Sequence, residues 1–256
     1  MTVTMSSKPL PPDGADHKKG PNIVVRAYLV LFNLLSAFGW ATVFYYTVQH
    51  LSRPLTTYER LTTSVPSFTP PSLVPVYVRA TSTYAAVGQH TQYVQSVAML
   101  EVLHALVGFV RSPVQTTATQ VASRLYLVWA IAPRFASAQA SPFYASMVLS
   151  WSFTEVIRYT FYALSLVGSE PRPLLWLRYT TFYLLYITGA SSEAFVCLAT
   201  LPLRKPLGSW DVESWGRAAL FLIWWPGLYV MYAYMIKQRR KVLGGGTKNK
   251  AKAKTS

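Results

Sequence analysis

The chain is predicted to be an all-α membrane protein, a six-transmembrane-helix bundle with both termini cytosolic. Three observations carry this. Of its 256 residues 52% are hydrophobic. Only 13% are charged, about half the share of an ordinary soluble domain. The apolar residues gather into six long runs, several edged by the 17 Tyr and 8 Trp, as aromatic anchors at membrane interfaces would be.

Residues 1–22 are polar, contain Pro and Lys, and are expected to be disordered. They lack the short apolar core of a removed signal peptide. The first span, near 27–48, is long enough to cross by itself. Residues 51–84 are rich in Ser, Thr and Pro and read as a loop. Further spans are expected near 92–111, 117–137, 142–167, 174–201 and 216–236, so that residues 23–240 form one domain. Residues 241–256 form a basic tail. Lys8, Lys18, Lys19, Arg26 and eight basic residues in Lys237–Lys254 place both termini in the cytosol by the positive-inside bias. Arg204 and Lys205, offset by Asp211 and Glu213, weaken that bias without reversing it. The tail suits anionic lipid head groups better than nucleic acid. It ends Lys252-Ala-Lys254-Thr-Ser256, the form of a dilysine retrieval signal for the endoplasmic reticulum. The single cysteine, Cys197, excludes an intramolecular disulfide and a Cys-based zinc site.

Ionisable groups inside spans are costly and point to function. Tyr186 and Glu193 are seven residues apart, so they share a helix face about 20° apart and roughly 10 Å apart along the axis. The face runs Tyr179, Phe182, Tyr186, Gly189/Ala190, Glu193, and the small pair makes a notch. No cation lies three or four residues from Glu193. Such a pair suits proton transfer, or simply close helix packing. Glu155 and Arg158, at i and i+3, suit an intrahelical ion pair. Gln120 and Arg124, at i and i+4, suit a contact with a partner helix. His104 lies among apolar neighbours with no second ligand at metal spacing, which favours packing. Arg111 and Arg178 near span ends can snorkel to head groups.

Four blocks together resemble the very-long-chain 3-hydroxyacyl-CoA dehydratases, once called protein-tyrosine-phosphatase-like proteins. They are Leu100-Glu101…Gly108…Val110-Arg111-Ser112, Gln120-Val-Ala-Ser-Arg124, Trp151-Ser-Phe-Thr-Glu155-Val-Ile-Arg158-Tyr159, and Leu177-Arg178-Tyr179…Tyr186-x-Thr-Gly189-x-x-Ser192-Glu193. The resemblance covers roughly Arg26 to Lys241. It implies that Tyr186 and Glu193 are the catalytic pair, with Gly189 between, and that Arg178, Glu101, Gln120, Arg124, Arg111, Glu155 and Arg158 support them or bind substrate. Ile187 stands where the family carries proline, so any bend there is expected to be gentle. The implied reaction is loss of water from a (3R)-3-hydroxyacyl-CoA to give a trans-2-enoyl-CoA, the third step of fatty-acid elongation, with no metal or redox cofactor. Either member of the pair can be the acid in this reading, and Arg124 and Arg178 are candidates for assisting Tyr186 or for contacting the CoA phosphates. Long-chain 3-hydroxyacyl-CoA, membrane lipids and other elongation enzymes are the implied partners.

Three rival classes are weaker. His104-Ala105…Gly108…Arg111 echoes a tyrosine-phosphatase loop, but Ala105 stands where the nucleophilic thiol is needed. A transporter would be expected to show paired interrupted spans. A non-catalytic scaffold or lipid-binding protein of the elongation machinery remains the main alternative. One tension attends the enzyme reading: with span five entering near Trp176, Glu193 lies roughly 25 Å further along the helix.

Overall fold

The computed structural model describes residues 22–252, with side chains to Leu243; the N-terminal tail and Lys254 lie outside them. No strand occurs among the described residues. The helices are α1 (Ile23–Ser52), α2 (Thr57–Thr62), α3 (Val74–Ala80), α4 (Thr83–Ser96), α5 (Met99–Leu106), α6 (Val114–Leu125), α7 (Ala136–Gln139), α8 (Pro142–Leu166), α9 (Arg172–Arg178), α10 (Phe182–Leu198) and α11 (Val212–Lys252). Helices α1, α4–α5, α6, α8, α9–α10 and α11 run back and forth through the bundle. Arg26 at the start of α1 reaches the Leu166 carbonyl at the end of α8, and His50 at the end of α1 meets Ser82 before α4. Ser96 of α4 meets Trp129 beyond α6, Trp151 of α8 meets Glu193 of α10, and Tyr232 of α11 meets Tyr183 of α10.

Among the described residues three helical stretches are long and apolar enough to cross a membrane: Ile23–Ser52, Arg172–Leu198 and Val212–Leu243. Helix α8 is too polar to join them, and its position explains why. It packs against α1, α3, α4, α9 and α10. A helix enclosed by protein rather than lipid can hold Ser150, Ser152, Glu155 and Arg158 where partners satisfy them. The core lies between α8, α1 and the segment after α6. Trp40 and Trp151 meet edge to face there, with ring centroids 6.5 Å apart, beside Leu127, Ile131 and Met147.

Residues 51–84 are not the plain loop expected. They contain α2, a 3-10 turn at Pro71–Leu73, and α3, while α4 begins at Thr83. Their order comes from Arg79, whose side chain is fully buried. It donates to the carbonyls of Arg53 and Pro54 and to the Glu59 carboxylate. The second expected span ends early for a local reason. Gly108 has φ +76°, and the Phe109 amide returns to the His104 carbonyl at 2.9 Å. That is a left-handed glycine cap, so Arg111 falls in the irregular link to α6. The third pass widens to a π turn at Tyr126–Ile131, directly after Arg124. Helix α10 runs unbroken through Ile187. Helix α11 runs on through the boundary expected at 240 as far as Lys252.

Candidate active site

The site lies where α5, α6, α8, α10 and α11 converge on one cavity of about 450 Å3. Helix α8 presents Trp151, Glu155 and Arg158 to it at spacings of four and three. From α10 come Tyr186, Gly189 and Glu193. Contact between these two helices is close because α10 is small there. A Cβ at Gly189 would come 3.3 Å from the Ser150 Cβ. Two hydroxyl pairs, Ser150–Thr188 and Ser146–Ser192, each 2.9 Å, tie the same seam. Small residues and hydroxyls are what close helix packing in a membrane uses.

A ladder of charges crosses the cavity wall. Arg158 donates through Nη1 and Nη2 to the two oxygens of Glu101, at 2.9 and 2.7 Å. Its Nε donates to Glu155 at 2.5 Å. Glu155 also accepts from Arg124, and Glu101 accepts from the Tyr159 hydroxyl. These four charges cancel. Buried charges of this kind are tolerable only when paired and hydrogen-bonded, and removing one partner costs about 3–5 kcal/mol.

Glu193 ends the ladder differently. Its oxygens accept from two indoles, Trp151 Nε1 at 2.7 Å and Trp224 Nε1 at 3.1 Å. The Arg124 guanidinium lies 4.9 Å from the Trp151 ring centroid, so the same indole touches both the cation and the acid it aims. No ion pair to Glu193 forms among the described residues. Tyr186 shares the cavity two turns away, and Gly189 and Ala190 line the space between them. A carboxyl fixed by neutral donors facing a phenol across an open notch is suited to moving protons on a bound molecule.

Of the residues singled out in the sequence, Glu101, Gln120, Arg124, Glu155, Arg158, Tyr186, Gly189 and Glu193 line this cavity. Arg111 does not: it is exposed beyond the Gly108 cap. Arg178 lines a neighbouring cavity instead. Arg124 is engaged by Glu155, which argues against its use on a phosphate. His104 takes a packing role: it hydrogen-bonds the Tyr28 hydroxyl at 2.8 Å between the rings of Phe32 and Phe109. Sequence reasoning missed Trp151 and Trp224 as the donors that aim Glu193. Their indole N–H groups, set in apolar runs, each require a partner, and that requirement was the available clue.

Residues 95–245, more than half of the chain, match the family model described as protein tyrosine phosphatase-like protein, PTPLA. The chain belongs to this family. It is 39% identical to a very-long-chain (3R)-3-hydroxyacyl-CoA dehydratase of Caenorhabditis elegans, covering 88% of this chain and 99% of that relative. It is 38% identical to the rice dehydratase PASTICCINO 2B, covering 86% and 94%. A probable dehydratase of Schizosaccharomyces pombe is 45% identical over 59% of this chain and 72% of its own length. No solved structure matches.

Proposed function

We propose that Tyr186 and Glu193 catalyse the dehydration of (3R)-3-hydroxyacyl-CoA. The protein is a hydro-lyase of very-long-chain fatty-acid elongation, in keeping with relatives named very-long-chain (3R)-3-hydroxyacyl-CoA dehydratases. Glu193 takes the C2 proton, made acidic by the thioester. The C2–H electrons form the C2–C3 double bond, and the C3 hydroxyl leaves as water with the Tyr186 proton. The proton held by Glu193 then restores Tyr186. Glu193 is assigned as base because an ionised carboxylate is acceptor-only, and both of its oxygens here accept N–H bonds. Support for the pair rests on one observation: phenol and carboxyl flank the Gly189–Ala190 notch on the cavity side of α10. The ladder behind them holds the wall in place and carries no proton step.

The six passes are read as six membrane spans with both ends in the cytosol. One end of the bundle carries Arg26, Arg172, Arg178 and Lys237–Lys241 against Glu170. At the other end Glu59, Asp211 and Glu213 offset the basic residues. The dilysine pattern then faces the cytosol and returns the enzyme to the endoplasmic reticulum, beside the other elongation enzymes. Protease removal of a C-terminal epitope from sealed microsomes checks that topology; protection of the epitope contradicts it.

The deciding test is turnover. Purified protein given a long-chain (3R)-3-hydroxyacyl-CoA should form the trans-2-enoyl thioester. Glu193→Gln and Tyr186→Phe should each lose roughly 10²–10⁴-fold, the usual worth of a positioned acid or base. A fully active Glu193→Gln variant overturns the mechanism, and a folded wild-type protein with no turnover favours the scaffold.

A further inference from the structure

Arg178 differs from the other two arginines near the site. Arg124 and Arg158 are each closed by carboxylates. Arg178 forms no ion pair with a described residue. Its Nη2 donates to the Tyr162 hydroxyl at 2.9 Å, while its Nη1 is buried with no partner. The rings of Tyr162 and Phe161 lie 4.4 and 4.8 Å from the guanidinium carbon. It therefore presents an uncompensated, rigidly held fork to a cavity of about 130 Å3. Gln238 and Met235 of α11 line the same cavity, and the next residue, Arg239, stacks over Tyr183 with its Nε also buried and unpartnered.

This cavity adjoins the active site, since Thr154, Arg158, Phe182 and Met235 line both. Length then becomes informative. Gly189, the midpoint of the reacting notch, lies eleven residues beyond Arg178, or about 16 Å at helical rise counted through the tight 179–181 turn that joins α9 to α10. The pantetheine arm, from thioester sulfur to the first phosphorus, is thirteen bonds long and extends about 16 Å at ordinary bond lengths. A guanidinium fork is matched to phosphate oxygens by shape and charge.

We infer that Arg178 is the anchor for the diphosphate of coenzyme A, one pantetheine length from the Tyr186–Glu193 pair. This rests on the dehydratase reading and removes its difficulty: the thioester reaches a deep site because the arm lies along α10, with its phosphates held at the basic end of the bundle. A lipid head-group phosphate offers the same chemistry, so the test separates the two sources.

Wild-type enzyme should prefer a 3-hydroxyacyl-CoA over the same acyl group on pantetheine, which has no diphosphate. Arg178→Gln should lower kcat/KM for the CoA thioester roughly 10–100-fold, the worth of a charge-assisted bond, and bring the CoA-to-pantetheine ratio toward one. Arg178→Lys should give an intermediate ratio. Titration with free CoA should show the same weakening in Arg178→Gln, whereas a change at Arg111, exposed and outside both cavities, leaves CoA binding as in wild type. That arm involves no chemistry, so it stands or falls apart from the dehydration mechanism. Equal loss on both thioesters, or a response to added anionic phospholipid with the ratio unchanged, overturns the assignment. Should Arg178→Gln fail to fold, a wild-type enzyme indifferent to the diphosphate overturns it equally.

Discussion

Two of the places where the molecule buries charge differ in what surrounds the charge. Around Arg79 each guanidinium nitrogen donates inward. Its guanidinium meets two carbonyls and the Glu59 carboxylate. Glu59 is in turn shared with Arg53 Nη2 at 2.8 Å and with the Thr56 amide and hydroxyl at 2.9 and 2.7 Å. Neither cavity beside the catalytic pair is lined by any of these residues. The ladder from Glu101 to Arg124 is just as well paired, yet it forms the wall of a 450 Å3 cavity and stops short of Glu193. A buried charge cluster thus reads as structural when it closes on itself, and as functional when it borders open volume and leaves one ionisable group to neutral donors.

The largest expected effects test this contrast directly. Glu193→Gln should abolish most turnover at only a modest loss of thermal stability in detergent, because the amide oxygen keeps one of the two indole donors. Arg79→Met should do the reverse. It leaves Glu59 and two carbonyls without their donor, so the melting temperature should fall clearly, while kcat per folded molecule stays near wild type. Arg79→Met that folds normally but loses kcat would erase the distinction. A smaller effect is expected from Trp224→Phe, which removes the longer of the two bonds to Glu193. Loss of one hydrogen bond to a charged acceptor is worth about 1.5–3 kcal/mol, so kcat should fall tenfold or somewhat more. KM should change little. A rise in KM with kcat intact would show that Trp224 holds substrate rather than the carboxyl.

Much of this was legible in the sequence, and the boundary has physical causes. Helical period alone placed Tyr186, Gly189 and Glu193 on one face, since a helix fixes that geometry locally. The Glu155–Arg158 bond follows from i and i+3 spacing in the same way. The pairing of Arg158 with Glu101 spans 57 residues, and no local pattern reveals it. For the same reason Arg124 and Arg178 looked equivalent as phosphate contacts until tertiary pairing engaged one and left the other uncompensated. The segment 51–84 was misread because its Ser, Thr and Pro content reports local propensity, whereas its helices are held by one buried arginine further along the chain. Helix α8 shows the converse. Its polar residues lower its hydropathy, and its enclosure by neighbouring helices makes that tolerable.

The smallest expected effect sharpens the account of the Arg79 region by its response to acid. The Glu59 carboxyl is held at about 2, below its ordinary 4.5, first by the Thr56 hydroxyl, then by the Thr56 amide, then by Arg79. A carboxyl whose pKa is lower in the folded state stabilises the fold above its unfolded value. That contribution fades as the pH falls from 4.5 toward 2, because the unfolded chain takes up the proton first. Wild-type protein should therefore lose thermal stability across this window faster than Glu59→Gln, which has nothing to titrate there. The Asp211 carboxyl is also lowered, chiefly by the Ser214 hydroxyl, but it titrates in both proteins and drops out of the difference. Melting curves of the two in detergent between pH 5 and pH 2 should converge as the pH falls. Parallel curves would mean that Glu59 matters to Arg79 only as a hydrogen-bond acceptor and not as a charge.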